Sequence, residues 1–439
     1  MKNWKFTVAA LLAVSSIVLL SFTDKKESRS KQRSTYRSIP KGCVFRTVMG
    51  EESSDSNFIY KTGEKIIGSI DHGLGWIIKA QNAKGGWGAG SHHRQDVMDP
   101  LAVQADPATT SMVAMAMLRT GNTLKSGEYS PQLQRALYFL LGAVETSSPQ
   151  SYNITDLTGT QIQTKLGANI DVILTSQFLS NLLDGYLNHD KALKDRVMKA
   201  NNICVAKIQR AQDKNGSFVG SGWAGVLQSS FATNALEAAQ AQGASVDDGA
   251  LEKAREFQKG NYDAKSGNVN TELGAGVMLY AVTGSARASA KEARKAEEEV
   301  KKAKADGRLS QSAAPSAENL QKIGFDKDEA MKYSTAYEVY NSAKVQAQRE
   351  DVMEGFGSNG GEEFLSYLQT GESMIIGKDN TWRNWYDNIS GRLLRIQNDD
   401  GSWSGHHCIT SPVFCTATCL LILSVNNDVA KLTELGRAK

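Results

Sequence analysis

The sequence predicts an all-α protein in which six helical hairpins close into a ring, an α6/α6 toroid. The first observation is a short phrase that occurs three times, with a glutamine at its start and an aromatic residue at its end. The glutamines are Gln81, Gln212 and Gln397, and the aromatic residues are Trp87, Phe218 and Trp403. Each phrase follows an amphipathic stretch and precedes a small-residue apolar helix, so it is a turn between two helices of one repeating unit.

The second observation is a regular alternation of two kinds of helix. The pairs are 65 through the first phrase with 108–119, 132–144 with 170–186, 193–211 with 226–242, 249–258 with 271–282, 328–348 with 360–374, and 382–396 with 411–425. In each pair the first helix carries more charge, and the second is richer in Ala, Gly, Ser, Thr and Met. This asymmetry predicts an inner ring of close-packed helices and an outer ring that faces solvent.

The phrase Q-x-x-x-G-x-W/F resembles the repeat of the squalene-cyclase and prenyltransferase superfamily, over residues 65 to 425 with one interruption. The resemblance implies that the glutamine and the ring tie one hairpin to its neighbour at a helix end. It also implies the six-hairpin toroid of protein prenyltransferases and of single terpene-cyclase domains, in which closure sets the first hairpin beside the last. We therefore expect the six repeat residues to be structural.

The interruption lies within the domain predicted for residues 58–427, at about 285–327. Residues 286–304 are rich in Ala, Lys and Glu, and a loop containing Ser, Ala and Pro follows. The Glu and Lys spacing predicts a solvated helix with i,i+4 pairs. We interpret this insertion as a surface elaboration; the alternative is an arm that docks on other cell-envelope proteins.

The N-terminus predicts export. Two lysines precede an apolar run over 6–22, which is short for a membrane span and typical of a signal peptide over 1–23. Residues 24–57 are rich in Ser, Lys, Arg and Glu and have the composition of a flexible tether. The expected location is the bacterial periplasm or cell envelope; an uncleaved anchor is the alternative, because 21–23 is a poor cleavage site. Residues 428–439 are a C-terminal tail.

The composition of the chain limits the kinds of partner that the protein can have. The net charge of +3 is small and dispersed, which argues against a nucleic-acid partner, and the 41% hydrophobic content is enough for a sizeable core. Five cysteines leave at least one unpaired. Cys415 and Cys419 lie four residues apart on one predicted helix, where they cannot easily bridge, so we expect both to be core residues.

Topology predicts where a site would be. Every turn from an outer to an inner helix lies at the same end of a toroid, so the residues after these turns meet at one mouth of the central cavity. The candidate catalytic residues there are His92, His93, His406, His407, Glu362 and Glu363. The candidate ligand-binding residues are Asp96, Asn169, Asp171, Trp223 and Glu272.

The histidines have three alternative roles. The two His-His pairs follow the repeat phrase in the first and last hairpins, which ring closure would make neighbours. Imidazole and thiol groups prefer zinc, so His93, His407 and Cys408 are candidate metal ligands, although His406 to Cys408 are spaced too tightly for all three to bind one ion. One histidine could instead act as a general acid or base, and the third alternative is a structural role.

Several motifs of related activities are missing from the sequence. It has no Asp-x-Asp-Asp run of protonating cyclases, no Asp-Asp-x-x-Asp run for diphosphates, and no Gly-Cys-Gly-Glu-Gln run of thioester domains. We therefore hypothesise an apolar or extended ligand, an isoprenoid, lipid or peptide, bound in the central cavity without established catalysis. The alternatives are a divergent terpenoid- or polysaccharide-processing enzyme that uses His and Glu at the mouth, and a scaffold subunit of an envelope assembly.

Overall fold

The computed structural model describes residues 62–427 except 184, 221 and 358. The predicted signal peptide, tether and C-terminal tail lie outside these residues. The helices are α1 (Glu64–Lys79), α2 (Pro107–Arg119), α3 (Ser130–Thr146), α4 (Gln161–Lys165), α5 (Ile170–Leu183), α6 (Lys191–Arg210), α7 (Gly225–Ala241), α8 (Asp248–Lys259), α9 (Met278–Ala305), α10 (Ala317–Lys322), α11 (Lys327–Gln346), α12 (Glu350–Met353), α13 (Gly361–Ile376), α14 (Trp382–Arg395) and α15 (Pro412–Leu423).

The all-α prediction is confirmed. Over the described residues, backbone β-pairing is limited to isolated bridges, such as the one between Ser91 and Thr160. All six predicted helical pairs are present, with ends that differ from the predicted bounds by several residues at most, apart from the fourth pair. None of the described helices combines the length and the apolar character needed to cross a membrane.

Six helices pack side by side on the inside of the molecule, in the order α2, α5, α7, α9, α13 and α15, and α15 also packs against α2. The other long helices lie outside them. Each outer helix packs against the inner helix of the preceding hairpin: α3 on α2, α6 on α5, α8 on α7, α11 on α9, and α14 on α13. The first outer helix, α1, packs against α15, the inner helix of the last hairpin.

The space between the inner helices is filled by side chains. Every residue of α2, α5, α13 and α15 is buried, as are residues 225–239 of α7. Small polar groups bond between the inner helices: Ser230 Oγ of α7 donates to Gln369 Oε1 of α13 at 3.0 Å, and the hydroxyls of Ser111 and Thr175, on the neighbouring helices α2 and α5, lie 3.1 Å apart. Helices built from small residues approach closely, and here they leave no solvent-lined face for a ligand.

The repeat glutamines connect neighbouring hairpins. Each side-chain amide donates to a carbonyl in its own turn and to a second carbonyl near the start of the next outer helix. The second acceptors are the carbonyls of Gln132 for Gln81 at 2.9 Å, Ala250 for Gln212 at 2.9 Å, and Ser69 for Gln397 at 3.0 Å. Since Ser69 belongs to α1, the third of these bonds joins the last hairpin to the first.

The repeat aromatic rings close each turn from within. Trp87, Phe218 and Trp403 are buried. The indole N–H of Trp87 donates to the Ile77 carbonyl at 2.7 Å, and that of Trp403 donates to the Leu393 carbonyl at 2.9 Å, so each tryptophan satisfies a carbonyl in the last turn of the preceding helix. Trp403 also packs on α1 so closely that a Cβ at Gly73 would lie 2.8 Å from its ring.

The insertion is not the solvated element that its charge pattern predicted. Helix α9 runs without a break for 28 residues, and its residues 279–290 are buried among the other inner helices. Arg287, which is 2% exposed, lies between Glu237 of α7 at 3.4 Å and Glu372 of α13 at 3.8 Å. The Lys and Glu spacing correctly predicted a helix. The sequence did not show that a charged side chain of this helix, Arg287, pairs with buried carboxylates. The helix also begins at Met278, whereas the prediction began it at 271.

The far half of α9 forms a small second core with α10 and the start of α11. Ala296, Val300 and Ala303 pack there with Leu309 and Leu320. The segment between α9 and α11 is therefore a folded part of the described structure, and its removal would expose apolar surface.

We expect Trp403→Ala to lower the free energy of unfolding by about 3–5 kcal/mol, because truncation of a buried tryptophan leaves a cavity and here also removes a hydrogen bond. Urea denaturation followed by circular dichroism measures this. Trp223→Ala is the matched control, since that ring is 62% exposed and its loss should cost little. Equal stability of both variants would contradict a structural role for the phrase.

We expect Arg287→Met to destabilise the fold by about 3 kcal/mol, because it removes a buried cation that lies between two buried carboxylates. Lys301→Met is the control, on an exposed position of the same helix. If chemical denaturation gave the same midpoint for the two variants, the insertion would be energetically separate from the inner helices, as its charge pattern first indicated.

Candidate functional site

The N-terminal ends of the inner helices lie together at one end of the molecule, which we call the mouth. Asp171, at the start of α5, accepts the backbone N–H of Ala108 at the start of α2. Tyr280 of α9 donates its hydroxyl proton to Glu363 of α13 at 2.5 Å. Loops that follow the outer helices cover this end, as topology predicted.

The short helix α4 positions part of the mouth. Its start is fixed by a capping box, in which Thr160 Oγ1 accepts the N–H of Gln163 at 3.1 Å and Gln163 Oε1 accepts that of Thr160. Gln161 Oε1 then accepts the N–H groups of Thr410 at 2.8 Å and Ser411 at 3.1 Å. Helix α4 of the second hairpin therefore holds the loop that enters α15 of the last hairpin.

The loops of the first and last hairpins also meet. Thr410 Oγ1 donates to the carbonyl of Gln95 at 2.9 Å. This contact brings the two His-His loops to the same end of the molecule. Helix α4 also lies against both loops, through the side chains of Gln161 and Lys165. The prediction that the first and last hairpins share one site therefore needs a third contributor, the second hairpin.

Lys165, on α4, lies at the centre of the mouth. Its ammonium group sits 4.2 Å from the ring centroid of Trp223 and bonds to the thiol of Cys408. The Trp223 loop runs against α4 because Ala224 N–H donates to the Lys165 carbonyl at 2.7 Å. Only glycine fits at position 222, where a Cβ would lie 2.5 Å from the Thr164 carbonyl.

Glu363 is a structural capping residue. It accepts the N–H of Gly360 and that of Phe356, each at 3.0 Å, as well as the Tyr280 hydroxyl. With its oxygens occupied in this way, it holds the loop before α13 to the helix start. The candidate catalytic role predicted for Glu363 is replaced by this one.

Glu362 differs from its neighbour. Its carboxyl is 2% exposed and accepts one long hydrogen bond, from Ile409 N–H at 3.3 Å. Burial, and then the negative charge of Glu363, raise the pKa of Glu362 to about 8. At neutral pH Glu362 is therefore a protonated acid, the form a proton donor needs.

Cys408 is half-buried and has a positive φ of 59°, which is a strained backbone for a residue with a Cβ. Burial and the nearby Glu362 raise the pKa of its thiol to about 11, although Lys165 acts in the opposite direction. The thiol is therefore protonated at neutral pH and is not an activated nucleophile.

The four histidines do not form a metal site. Across residues 62–427, apart from the three positions left undescribed, no group of three or more His, Cys, Asp or Glu side chains is arranged to hold a metal ion. His407 lies beside Phe356, with ring centroids 5.5 Å apart, and its Nε2 is 4.0 Å from Glu363. His93, His407 and Cys408 are therefore not arranged as one such group in the described part of the chain.

The other three histidines also lie in different surroundings. His406 and His93 are exposed, and each contributes a backbone N–H bond to its loop, to the Asn359 carbonyl and the Ser91 hydroxyl respectively. His92 is half-buried; the side-chain amide of Gln95 lies 2.7 Å from its Nδ1. Burial, then the charges of Lys165 and His93, lower the pKa of His92, so its ring is neutral at pH 7.

Two predicted ligand-binding residues have structural partners instead. Asn169 is buried, and its amide donates to the Val219 carbonyl at 2.7 Å. Asp171 is buried and accepts from Gln163 at 2.7 Å and Ala108 at 3.0 Å. Burial and the nearby Asp171 raise the pKa of Asp106, the N-cap of α2, to about 7. These groups lie at the starts of α2 and α5 and bond to backbone and side-chain groups there.

The remaining predicted residues lie on the surface of the mouth. Asp96 is exposed and forms an ion pair with Arg94 at 3.0 Å, and Glu272 is exposed on a short 3₁₀ helix over Glu272–Gly274. A cavity of about 310 Å³ opens next to the ion pair of Arg94 and Asp96, and Arg94, Val97 and Leu157 are among the residues that line it. Sequence reasoning missed Lys165, because no motif marks a lysine that becomes buried without a carboxylate partner.

Comparison of the sequence with profiles of known protein families and with curated proteins finds no match.

We expect Glu362→Gln to change how stability depends on pH. The carboxyl has a folded pKa of about 8 against an ordinary value of 4.5, so its contribution to stability is complete below about pH 4.5 and is lost as pH rises through 8. The amide cannot ionise and still accepts the Ile409 N–H. Relative to the native chain, the variant should gain about 2–4 kcal/mol between pH 5 and pH 8.

Urea midpoints at a series of pH values measure this gain. Glu272→Gln is the control, because that carboxyl is exposed and its replacement should leave the pH profile as it was. Parallel profiles for the native chain and Glu362→Gln would mean that Glu362 ionises normally.

Proposed function

We propose that the six hairpins form a closed α6/α6 toroid and that its mouth, rather than its centre, binds an extended ligand. Closure is supported by the packing of α15 on α2 and by the bond from Gln397 to Ser69, which connect the last hairpin to the first. The resemblance of the repeat phrase to squalene-cyclase and prenyltransferase repeats supports the same architecture.

The mouth is favoured because the centre is occupied. The inner helices bury their residues against one another, and polar pairs such as Ser230 with Gln369 bridge the middle. An isoprenoid or acyl chain needs an enclosed apolar space, and these helices provide none along their buried length. This argues against the lipid ligand that the fold resemblance implied.

The exposure of the Trp223 ring is the observation that supports the proposal most directly. The ring is 62% exposed, although large aromatic rings are normally buried, and Lys165 holds it from one side. The ring is thus fixed in position while much of it faces solvent. An exposed, oriented aromatic ring beside polar side chains is suited to stack against a flat face of a ligand.

A second candidate function is catalysis at the same place. Glu362 is a neutral carboxylic acid near Lys165 and Cys408, and Cys408 has a strained backbone. Strained backbones and displaced pKa values cluster at active sites. An enzyme that uses Glu362 as proton donor would lose activity as pH rises above about 8.

We further propose that the protein is exported, on the basis of the apolar run over 6–22 and the lysines that precede it. Fractionation of cells that produce the full chain tests this proposal separately from ligand binding.

We expect Trp223→Ala to abolish ligand binding and leave the melting temperature nearly unchanged, because the ring is exposed. The measurement is retention of the purified protein on immobilised oligosaccharides, extended peptides and isoprenoid alcohols. Tyr138→Ala is the matched control: Tyr138 is also an exposed ring over a cation, 5.7 Å from Arg196, but it lies on outer helix α3. Equal losses in the two variants would argue against a site at the mouth.

A further inference from the structure

Lys165 differs from Lys259 and Lys207, two other buried lysines, in that its ammonium group bonds to no oxygen atom of the described residues. It is 4% exposed, yet it forms no ion pair with any carboxylate in the described part of the chain. By contrast, Lys259 pairs with Glu292 at 3.0 Å, and Lys207 donates to the carbonyls of Ser148 and Ser151 at 2.6 and 2.8 Å. The partners of Lys165 are a ring face and a thiol, neither of which carries a negative charge.

A buried ammonium without a counter-charge is costly, because burial removes its hydration and nothing replaces the lost interaction. Glu362, whose pKa Lys165 lowers, does not supply the charge, because burial and the charge of Glu363 hold it protonated at neutral pH. His92, whose pKa Lys165 also lowers, is neutral for a related reason. The mouth therefore contains a cation whose partner is absent from the protein itself.

We propose that the mouth binds an acidic polysaccharide, with a carboxylate or sulfate group paired to Lys165 and the sugar ring stacked on Trp223. This inference rests on the proposed function and adds the chemical class of the ligand. The ammonium lies 4.2 Å from the ring centroid and so covers one face of the Trp223 ring. The ring is 62% exposed, which leaves its other face for the sugar.

The other anionic ligands fit less well. A fatty acid needs a tunnel for its chain, whereas the inner helices are buried along their length. An extended acidic peptide is usually held by a sheet edge or an apolar helix groove, and β-pairing in the described residues is limited to isolated bridges. A sugar ring needs a flat face for its C–H groups and polar neighbours for its hydroxyls, and Trp223, His92 and Gln95 supply both kinds of group.

The test is isothermal titration with matched oligosaccharides. The acidic probes are tetrasaccharides of polygalacturonate, alginate and heparin, and the neutral probe is the methyl ester of the first. We expect at least one acidic probe to bind, and for the galacturonate pair we expect the acid to bind about 30-fold more tightly than its ester. The affinity of the acid should fall as salt is added, because the contact is ionic.

Variants identify the cation. Lys165→Met should weaken binding of the acidic probe by about 30-fold and leave the ester unaffected, whereas Lys165→Arg should retain the preference for the acid. Lys84→Met is the control, an exposed lysine in the first repeat turn. The melting temperature of each variant is measured first; if Lys165→Met is unfolded, the acid-to-ester ratio and its salt dependence in the native chain decide the question.

The proposal is overturned if acid and ester bind the native chain equally, if Lys165→Met weakens both alike, or if no acidic tetrasaccharide binds. It is also overturned if tetraglutamate or laurate binds more tightly than every glycan in a Lys165-dependent manner. Trp223-dependent binding of the ester would leave a ligand site at the mouth and remove only its preference for anions. Binding that no Trp223 variant affects would remove the proposed function as well.

Discussion

The inner helices all point the same way, and their buried ends must find partners within the protein. A helix leaves four N–H groups free at its start and four carbonyls free at its end, and its dipole adds partial charge at both places. Acids provide the partners at the mouth: Asp106 accepts from Thr109 and Ala89, Asp171 from Ala108, and Glu363 from Gly360. Arginines provide them at the opposite end, where Arg119 donates to the Leu421 carbonyl and Arg294 to that of Ile376.

This requirement explains why most charged residues at the mouth are structural. Carboxylates at the starts of the inner helices are buried and bonded, so their presence at the mouth follows from the fold and does not by itself indicate chemistry. The residues left for function are those whose bonding is incomplete. Lys165 lacks an anion, Glu362 has one long hydrogen bond, and the Trp223 ring is exposed. They lie together because α4 reaches across to the loop before α15.

The opposite end of the inner helices shows how charged residues can serve packing. Arg287 and Arg119 both approach Glu372, and Arg255 pairs with Glu237. These ion pairs join α2, α7, α8, α9 and α13 at a depth where an unpaired charge would be unstable. Helix α9 contributes Arg287 from what the sequence presents as an insertion, so the charged stretch begins among the inner helices and continues into the second small core.

The sequence by itself determined the helical class, the six helical pairs and the structural role of the repeat phrase. These features are local: a turn, an amphipathic stretch and a ring at fixed spacing identify one hairpin, and repetition identifies the rest. Cys415 and Cys419 were likewise correctly assigned to the core, since both are buried and unbridged. The placement of candidate residues at one end followed from topology alone.

Only the tertiary structure decided which of those residues are free to act. The sequence placed Asn169 and Asp171 among the candidate ligand-binding residues, whereas in the structure both bond to backbone groups. Residues 286–304 have the charge pattern of a solvated helix, whereas Arg287 pairs with a buried carboxylate. The burial of Lys165 without a carboxylate beside it is a property of the tertiary structure alone. The physical reason is that pairing and burial depend on residues that are distant along the chain, and no local pattern records them.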